Sequence, residues 1–222
     1  MTSESCSAPF ERCFTSMAAA RDTPGTSPSV EEFFEPGDAL RGKPSLSMIG
    51  LLVVEMVIGY EWFISGLVKF VRGGFPAGLA NELVEKSEGI SAWYASFLRS
   101  VVIPNAEPFG YAIEISELLA GVALIAGPFI WLFAWDRVSD RTRRAVLFVT
   151  AAAAIGGAFL AINLHLGNGA SHPWLIPGEA FDEGIDLDSV LPALQIVIAT
   201  VSIILLRRLR RKNANDDTPW RS

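Results

Sequence analysis

Apolar residues crowd into four stretches of this chain, and each stretch is interrupted by a few polar groups that a lipid-facing helix would not carry. The first, from Ser45 to Phe75, reads SLSMIGLLVVEMVIGYEWFISGLVKFVRGGF. A helix over Ser45–Val71 would be about 40 Å long at 1.5 Å per residue, against roughly 30 Å of hydrocarbon, so it can span a bilayer with tilt. It also holds Glu55 near mid-depth, Glu61 in its second half and Lys69. Ionised groups facing lipid cost several kcal/mol, so such residues face a bundle interior, become neutral or find partners. The first helix therefore predicts others.

Beyond it, Arg72-Gly73-Gly74-Phe75-Pro76 breaks the pattern, and the chain is amphipathic rather than apolar as far as Pro108. Ala77–Lys86 and Ser91–Val102 each have helical spacing, with Leu79 and Leu83 on one and Trp93, Tyr94, Phe97, Leu98 and Val101 on the other. This segment reads as a helical hairpin lying in the membrane interface or as a lid over the bundle mouth, and the two are compatible. The second span is expected over about Pro108–Trp135, with proline favoured at its start and Pro128 placed to kink it. The third is expected over Ala145–Leu166, where Ala151–Ala154, Gly156, Gly157 and Ala158 form a small-residue face that permits close helix contact. The fourth, Ser189–Leu206, carries Pro192 and Gln195.

Charge sets the expected orientation. The loop Asp136–Arg144 has four arginines, and the fourth span ends in Arg207-Arg208-Leu209-Arg210-Arg211-Lys212, while Gly167–Asp188 has five acidic residues and no Lys or Arg. Basic loops stay cytoplasmic, which puts both termini inside, together with Arg41 and Lys43, and the acidic loop and lid outside. The expected architecture is all-α: an integral membrane four-helix bundle over 45–206 with an amphipathic interfacial helical segment between helices 1 and 2. A disordered tail rich in Ser, Thr, Pro, Gly and Glu precedes it over 1–44, and a basic then polar tail follows over 207–222. A mean hydropathy of +0.36 and 50% hydrophobic residues fit one membrane bundle with tails. The net charge of -6 leaves no nucleic-acid footprint. Cys6 and Cys13 form no CxxC pair and read as free thiols in the tail. Met17–Ala20 is too short for a signal-peptide core, so helix 1 is expected to act as its own insertion signal.

Measured from the outer helix ends, Glu61 and Glu117 lie about 13 Å deep and Glu114 and Gln195 about 9 Å, with Lys69, Asn163 and His165 near the outer rim. Glu114 and Glu117 share a face by their spacing of three; Glu61, Ser65 and Lys69 step by four along another. Carboxylates gathered in low dielectric do not all ionise cheaply, so at least one is expected to hold an exchangeable proton unless Lys69 or His165 neutralises it. The layer is a candidate proton-handling or ligand site, with a purely structural hydrogen-bonded network as the alternative. Its expected reacting residues are Glu61, Glu114, Glu117 and Lys69, and its expected ligand-binding residues are Ser65, Asn163, His165 and Gln195. Glu55 is deeper, less partnered, and reads as structural. His165 and His172 lack ligand spacing and Asp182–Asp188 lacks the EF-hand pattern, so no metal is expected.

Two motifs then stand out. Gly59-Tyr60 followed by Ser65-Gly66-Leu67-Val68-Lys69-Phe70 resembles the first-helix G…(S)GxxK element of the DoxX/DoxD family of small four-helix membrane proteins. Glu117-Leu118-Leu119-Ala120-Gly121-Val122-Ala123-Leu124-Ile125-Ala126-Gly127 resembles its second-helix pattern ELxxGxxLxxG. The acid-rich second helix and the GGFP that follows the first look closer to the DoxD branch. Where many members carry an arginine near the start of helix 1, this chain has Glu55. The resemblance covers roughly Ser45–Leu206 and implies a membrane subunit of thiosulfate:quinone oxidoreductase. Such a subunit takes quinone as substrate and works beside a second membrane or periplasmic subunit. The other expectation is a non-enzymatic membrane module, a scaffold or permeation element, in which the same residues serve packing.

Overall fold

Ser45 begins the first helix by turning its Oγ to the backbone N–H of Met48, 3.3 Å away, which satisfies one of the free donors at a helix start. The computed structural model describes residues 44–169 and 187–216. The expectations for the N-terminal tail, for Cys6 and Cys13, for His172 and for most of the acidic loop lie outside the described residues.

Helix α1 runs Leu46–Arg72. It stops where Gly73 and Gly74 take φ of +67° and +80°, a conformation that glycine adopts without the strain a Cβ brings. Helix α2, Phe75–Lys86, starts at once with Pro76 in its first turn. Helix α3, Ala92–Phe97, passes into a π-turn over Leu98–Val102 and a 3₁₀ turn over Ile103–Asn105, then into α4, Ala106–Ala134. The chain is thus helical without a break from Ala92 to Ala134, and the second span begins earlier than expected. Pro108 falls within the first turn of α4, directly after the π-turn and the 3₁₀ turn, where the regular α-helical hydrogen-bond ladder is only beginning.

Helix α5 covers Asp140–Gly167 and begins five residues before the expected start. Its cap is Ser139, whose Oγ accepts from Thr142 N at 3.2 Å. Arg143 then reaches back to the end of α4, donating from Nε and Nη2 to Trp135 O at 3.0 and 2.9 Å. Part of the arginine loop is therefore helix, ordered by capping. Helix α6, Leu187–Asp216, likewise continues through the basic run.

Four helices are long and apolar enough to cross a membrane: Leu46–Arg72, Ala92–Ala134, Asp140–Gly167 and Val190–Arg211. Among the described residues there is no strand. One core joins the four, built from Ile58 and Trp62 on α1, Leu124 on α4, Ala154 and Ala161 on α5, and Leu191, Ile198 and Ala199 on α6. The outward faces carry large apolar side chains such as Val57, Leu119, Phe133, Phe148, Phe159 and Val197. Apolar outside as well as inside, the fold suits a lipid bilayer and fits a multi-pass membrane protein.

The tightest packing joins α1 to α4. A Cβ on Gly66 would stand 2.6 Å from Leu118 N, one on Gly121 2.3 Å from Phe63 N, and one on Gly59 2.9 Å from Leu124 Cβ. These glycines let two backbones approach as side chains would not. Both family-like motifs fall on this seam.

Candidate functional site

Where α1 leaves the seam, Ser65 and Lys69 sit one turn apart and point at Glu117 of α4. Lys69 Nζ is ion-paired to both carboxylate oxygens of Glu117. Ser65 Oγ donates to Glu117 Oε2 at 3.0 Å, and Lys69 Nζ donates to Ser65 Oγ at 3.2 Å. The Glu117 side chain is 1% exposed and that of Lys69 23%. The ammonium therefore satisfies a carboxylate that could find no water where it lies, which is what makes its burial tolerable. The ring of Phe75, the first residue of α2, lies 4.9 Å from Lys69 Nζ and covers the ammonium with a cation–π contact.

This cluster forms part of the wall of a cleft of about 750 Å³ between α4 and α5, roofed by α2 and α3. Most of its lining is apolar, including Leu79, Phe97, Leu98, Ala120, Phe148 and Leu160. The polar residues gather toward the roof: Lys69, Glu82, Lys86, Tyr94, Ser116, Glu117 and Asn163. Tyr94 fastens the roof to α5 by donating its hydroxyl to Asn163 O and Oδ1 at 3.2 and 3.1 Å. Arg99 fastens it to the end of α2 through Ser87 Oγ and O, at 3.2 and 3.3 Å. Tyr94, Leu98 and Val102 pack with Leu83 and Leu166 under this strap. A cleft with a charged head end and a long apolar body, flanked by the outward-facing Leu119, Phe148 and Phe159, matches an amphiphile of drug size or larger.

The expected layer is only partly assembled. Ser65, Lys69 and Glu117 are in contact, and Asn163 shares their cleft. Glu114 is buried one turn earlier on α4, its carbonyl oxygen close to Gly66. Gln195 is fully buried, but against Gly157 in the core. His165 is half-buried, and its buried Nε2 has no hydrogen-bond partner. Glu61 is exposed on the outer face of α1 and takes no part in the cluster. The reason is geometric: each step of four overshoots a full turn by about 40°, so two steps carry Glu61 about 80° away from Lys69.

Glu55, which the sequence placed near mid-depth and read as structural rather than as part of the layer, is 5% exposed and lies across from Thr150 at the Gly127 contact. A legible signal existed. Glu55, Trp62 and Lys69 recur at intervals of seven, which keeps them on one face of α1. Among the described residues no group of three or more His, Cys, Asp or Glu could hold a metal ion.

The fold and the site define a class: an all-helical protein with four membrane-length apolar helices and a buried ion pair in an apolar cleft. Compared with known proteins, the chain matches no family model, no curated protein and no solved structure.

Proposed function

We propose that this chain is a quinone-binding membrane subunit of the thiosulfate:quinone oxidoreductase kind, as its motifs' resemblance to the DoxD branch implies. The observation that carries the reading is the Lys69–Glu117 pair in the wall of a cleft whose body is apolar. A quinone ring seated at the roof would present an oxygen to the Lys69 ammonium and the Ser65 hydroxyl, with its apolar tail along α4 and α5. Two electrons from a sulfur donor and two protons convert quinone to quinol. The electrons would come through a companion subunit, and Glu117 with Lys69 would hand on the protons. In this reading the chain is a four-helix bundle with cytoplasmic termini, and α2 and α3 lie at the outer membrane interface.

The test is thiosulfate-dependent reduction of a quinone analogue by membranes holding this chain and its companion, together with direct binding of the analogue to the purified chain. Glu117→Gln should lose reduction at unchanged protein level, by a factor of about 10² if it acts as a positioned acid. Reduction untouched by that change, or an analogue that does not bind, would remove the proposal.

A second reading has its own support. Gly59, Gly66 and Gly121, which carry much of the family likeness, are packing positions in the α1/α4 seam. A non-enzymatic scaffold or permeation module would need them equally. Glu117→Gln would then lower the melting temperature in detergent and leave the catalysis of any partner intact.

A further inference from the structure

Polar or very small residues meet at two levels of the core, from four helices at one and three at the other. At the inner level, Glu55 of α1 meets Gly127 of α4, Thr150 of α5 and Ser202 of α6 around a cavity of about 20 Å³. A Cβ on Gly127 would stand 2.7 Å from Thr150 Oγ1 and 3.2 Å from Glu55 Oε1, so the missing side chain leaves the space into which both oxygens point. Seven residues along, Trp62 of α1 and Gln195 of α6 converge on Gly157 of α5, whose absent Cβ would lie 3.2 Å from Trp62 Nε1 and 2.3 Å from Gln195 Nε2. Seven more residues along α1 stands Lys69, paired with Glu117. Successive levels are about 10 Å apart, so the three cover about 20 Å of a hydrocarbon layer of about 30 Å.

The two inner levels share an unusual property. Glu55 Oε1, Trp62 Nε1 and both amide atoms of Gln195 are buried without a hydrogen-bond partner. Glu55, Trp62 and Gln195 are all at least nine-tenths buried. Leaving one such atom unsatisfied costs about 1–3 kcal/mol, and a packing role would be served better by leucine. A cavity of about 20 Å³ with several polar neighbours is large enough for one water molecule. Its lining reaches from Met48, in the first turn of α1, up to Glu55, and Glu55 is the one ionisable residue along it. At the other end Gly157 and Glu117 line the same cleft.

We infer that the polar levels of Glu55, of Trp62 with Gln195, and of Glu117 form a proton path through the core, joining the end of the fold that bears Met48 to the cleft. Glu55 takes up a proton from that end and releases it to water held by Thr150 and Ser202. Water oriented by the Gln195 amide and the Trp62 N–H passes it on to the Glu117 carboxylate, which releases it into the cleft and is ionised again beside Lys69. Each step breaks one O–H bond and forms another, and Glu55 is reset by the next proton. No titratable group faces Glu55 from the cavity walls on α4, α5 or α6. This goes beyond the reading of the cleft and does not need its ligand to be a quinone.

The experiment uses the full chain in lipid vesicles that enclose a pH-sensitive dye, with proton entry driven by a potassium diffusion potential. The wild-type protein should take up protons faster than protein-free vesicles. Glu55→Gln should slow uptake by at least about tenfold, as expected for loss of a proton-transferring carboxyl. Glu55→Asp should restore part of it, and the exposed Glu107→Gln should leave it unchanged. Gln195→Leu, which keeps the bulk and removes the amide, should slow uptake with Glu55 intact. Melting temperatures of each variant separate a blocked path from a misfolded one. Wild-type uptake no faster than that of empty vesicles overturns the path, as does full uptake in Glu55→Gln or in Gln195→Leu.

Discussion

Lys69 and Glu117 show how a buried pair is stable as a pair and costly when broken. Removing both charges from the core and filling the space with apolar groups is often neutral, whereas removing one leaves the other without a counter-ion, at about 3–5 kcal/mol. Lys69→Met should therefore lower stability in detergent by about 3 kcal/mol, because the Glu117 side chain has no access to water. Adding Glu117→Leu should return most of that loss. Unfolding of the two single variants and the double variant makes the cycle, and strictly additive losses would contradict the coupling. At this scale the sequence was half legible. The spacing of Ser65 and Lys69 put both on one face of α1, which the structure turns toward α4, but extending the same step back to Glu61 ignored the drift of the helix. Gln195 sits with Trp62 against Gly157, about 10 Å further into the core than the Lys69–Glu117 pair, and so does not join the cluster.

Between elements, the glycines divide into those that admit a neighbour and those that face open space. Gly121 and Gly66 hold α1 against α4 at distances where any Cβ would meet backbone, which cannot swing aside. Gly156, two residues from the end of the small-residue stretch of α5, has nothing within 4 Å. Gly121→Ala should cost about 1–3 kcal/mol as the two helices are forced apart. Gly156→Ala should be neutral or should stabilise by up to about 1 kcal/mol through helix propensity alone. Thermal unfolding of both in one detergent tests the assignment, and equal effects would count against it. The sequence marked Gly156 and Gly157 as part of a small-residue face that permits close contact, and Gly66 and Gly121 only as members of the family-like motifs. It could not say which of two adjacent glycines, Gly156 or Gly157, meets a partner, because that depends on how α5 is rotated against α6.

For the whole molecule, the testable consequence of the charge pattern is sidedness. The loop between α4 and α5 and the loop after α2 lie at opposite ends of membrane-length helices. With Cys6 and Cys13 replaced by serine, a cysteine at Glu88 should react with a membrane-impermeant maleimide in intact cells. One at Asp136 should react only after permeabilisation. The reverse pattern would invert the proposed orientation, and labelling of both in intact cells would contradict an odd number of crossings between them.

Much of the element list was settled by the sequence alone, because twenty or so apolar residues in a row have few stable alternatives to a helix in lipid and because Ser45 and Gly73-Gly74 mark local ends. Boundaries moved where local capping intervened, as when Ser139 capped Thr142 N and Arg143 bonded Trp135 O, which brought three of the arginines into α5. Tertiary structure alone decided which polar residues meet. Glu55 and Trp62 share a face of α1 by their spacing of seven, but Thr150, Gly157, Gln195 and Ser202 lie on other helices, and the levels at which they meet α1 depend on the relative height and rotation of neighbouring helices. The cleft had no signature in the sequence for the same reason: a volume bounded by α2, α3, α4 and α5 belongs to none of them singly, and exists only once Tyr94 and Asn163 hold the roof over it.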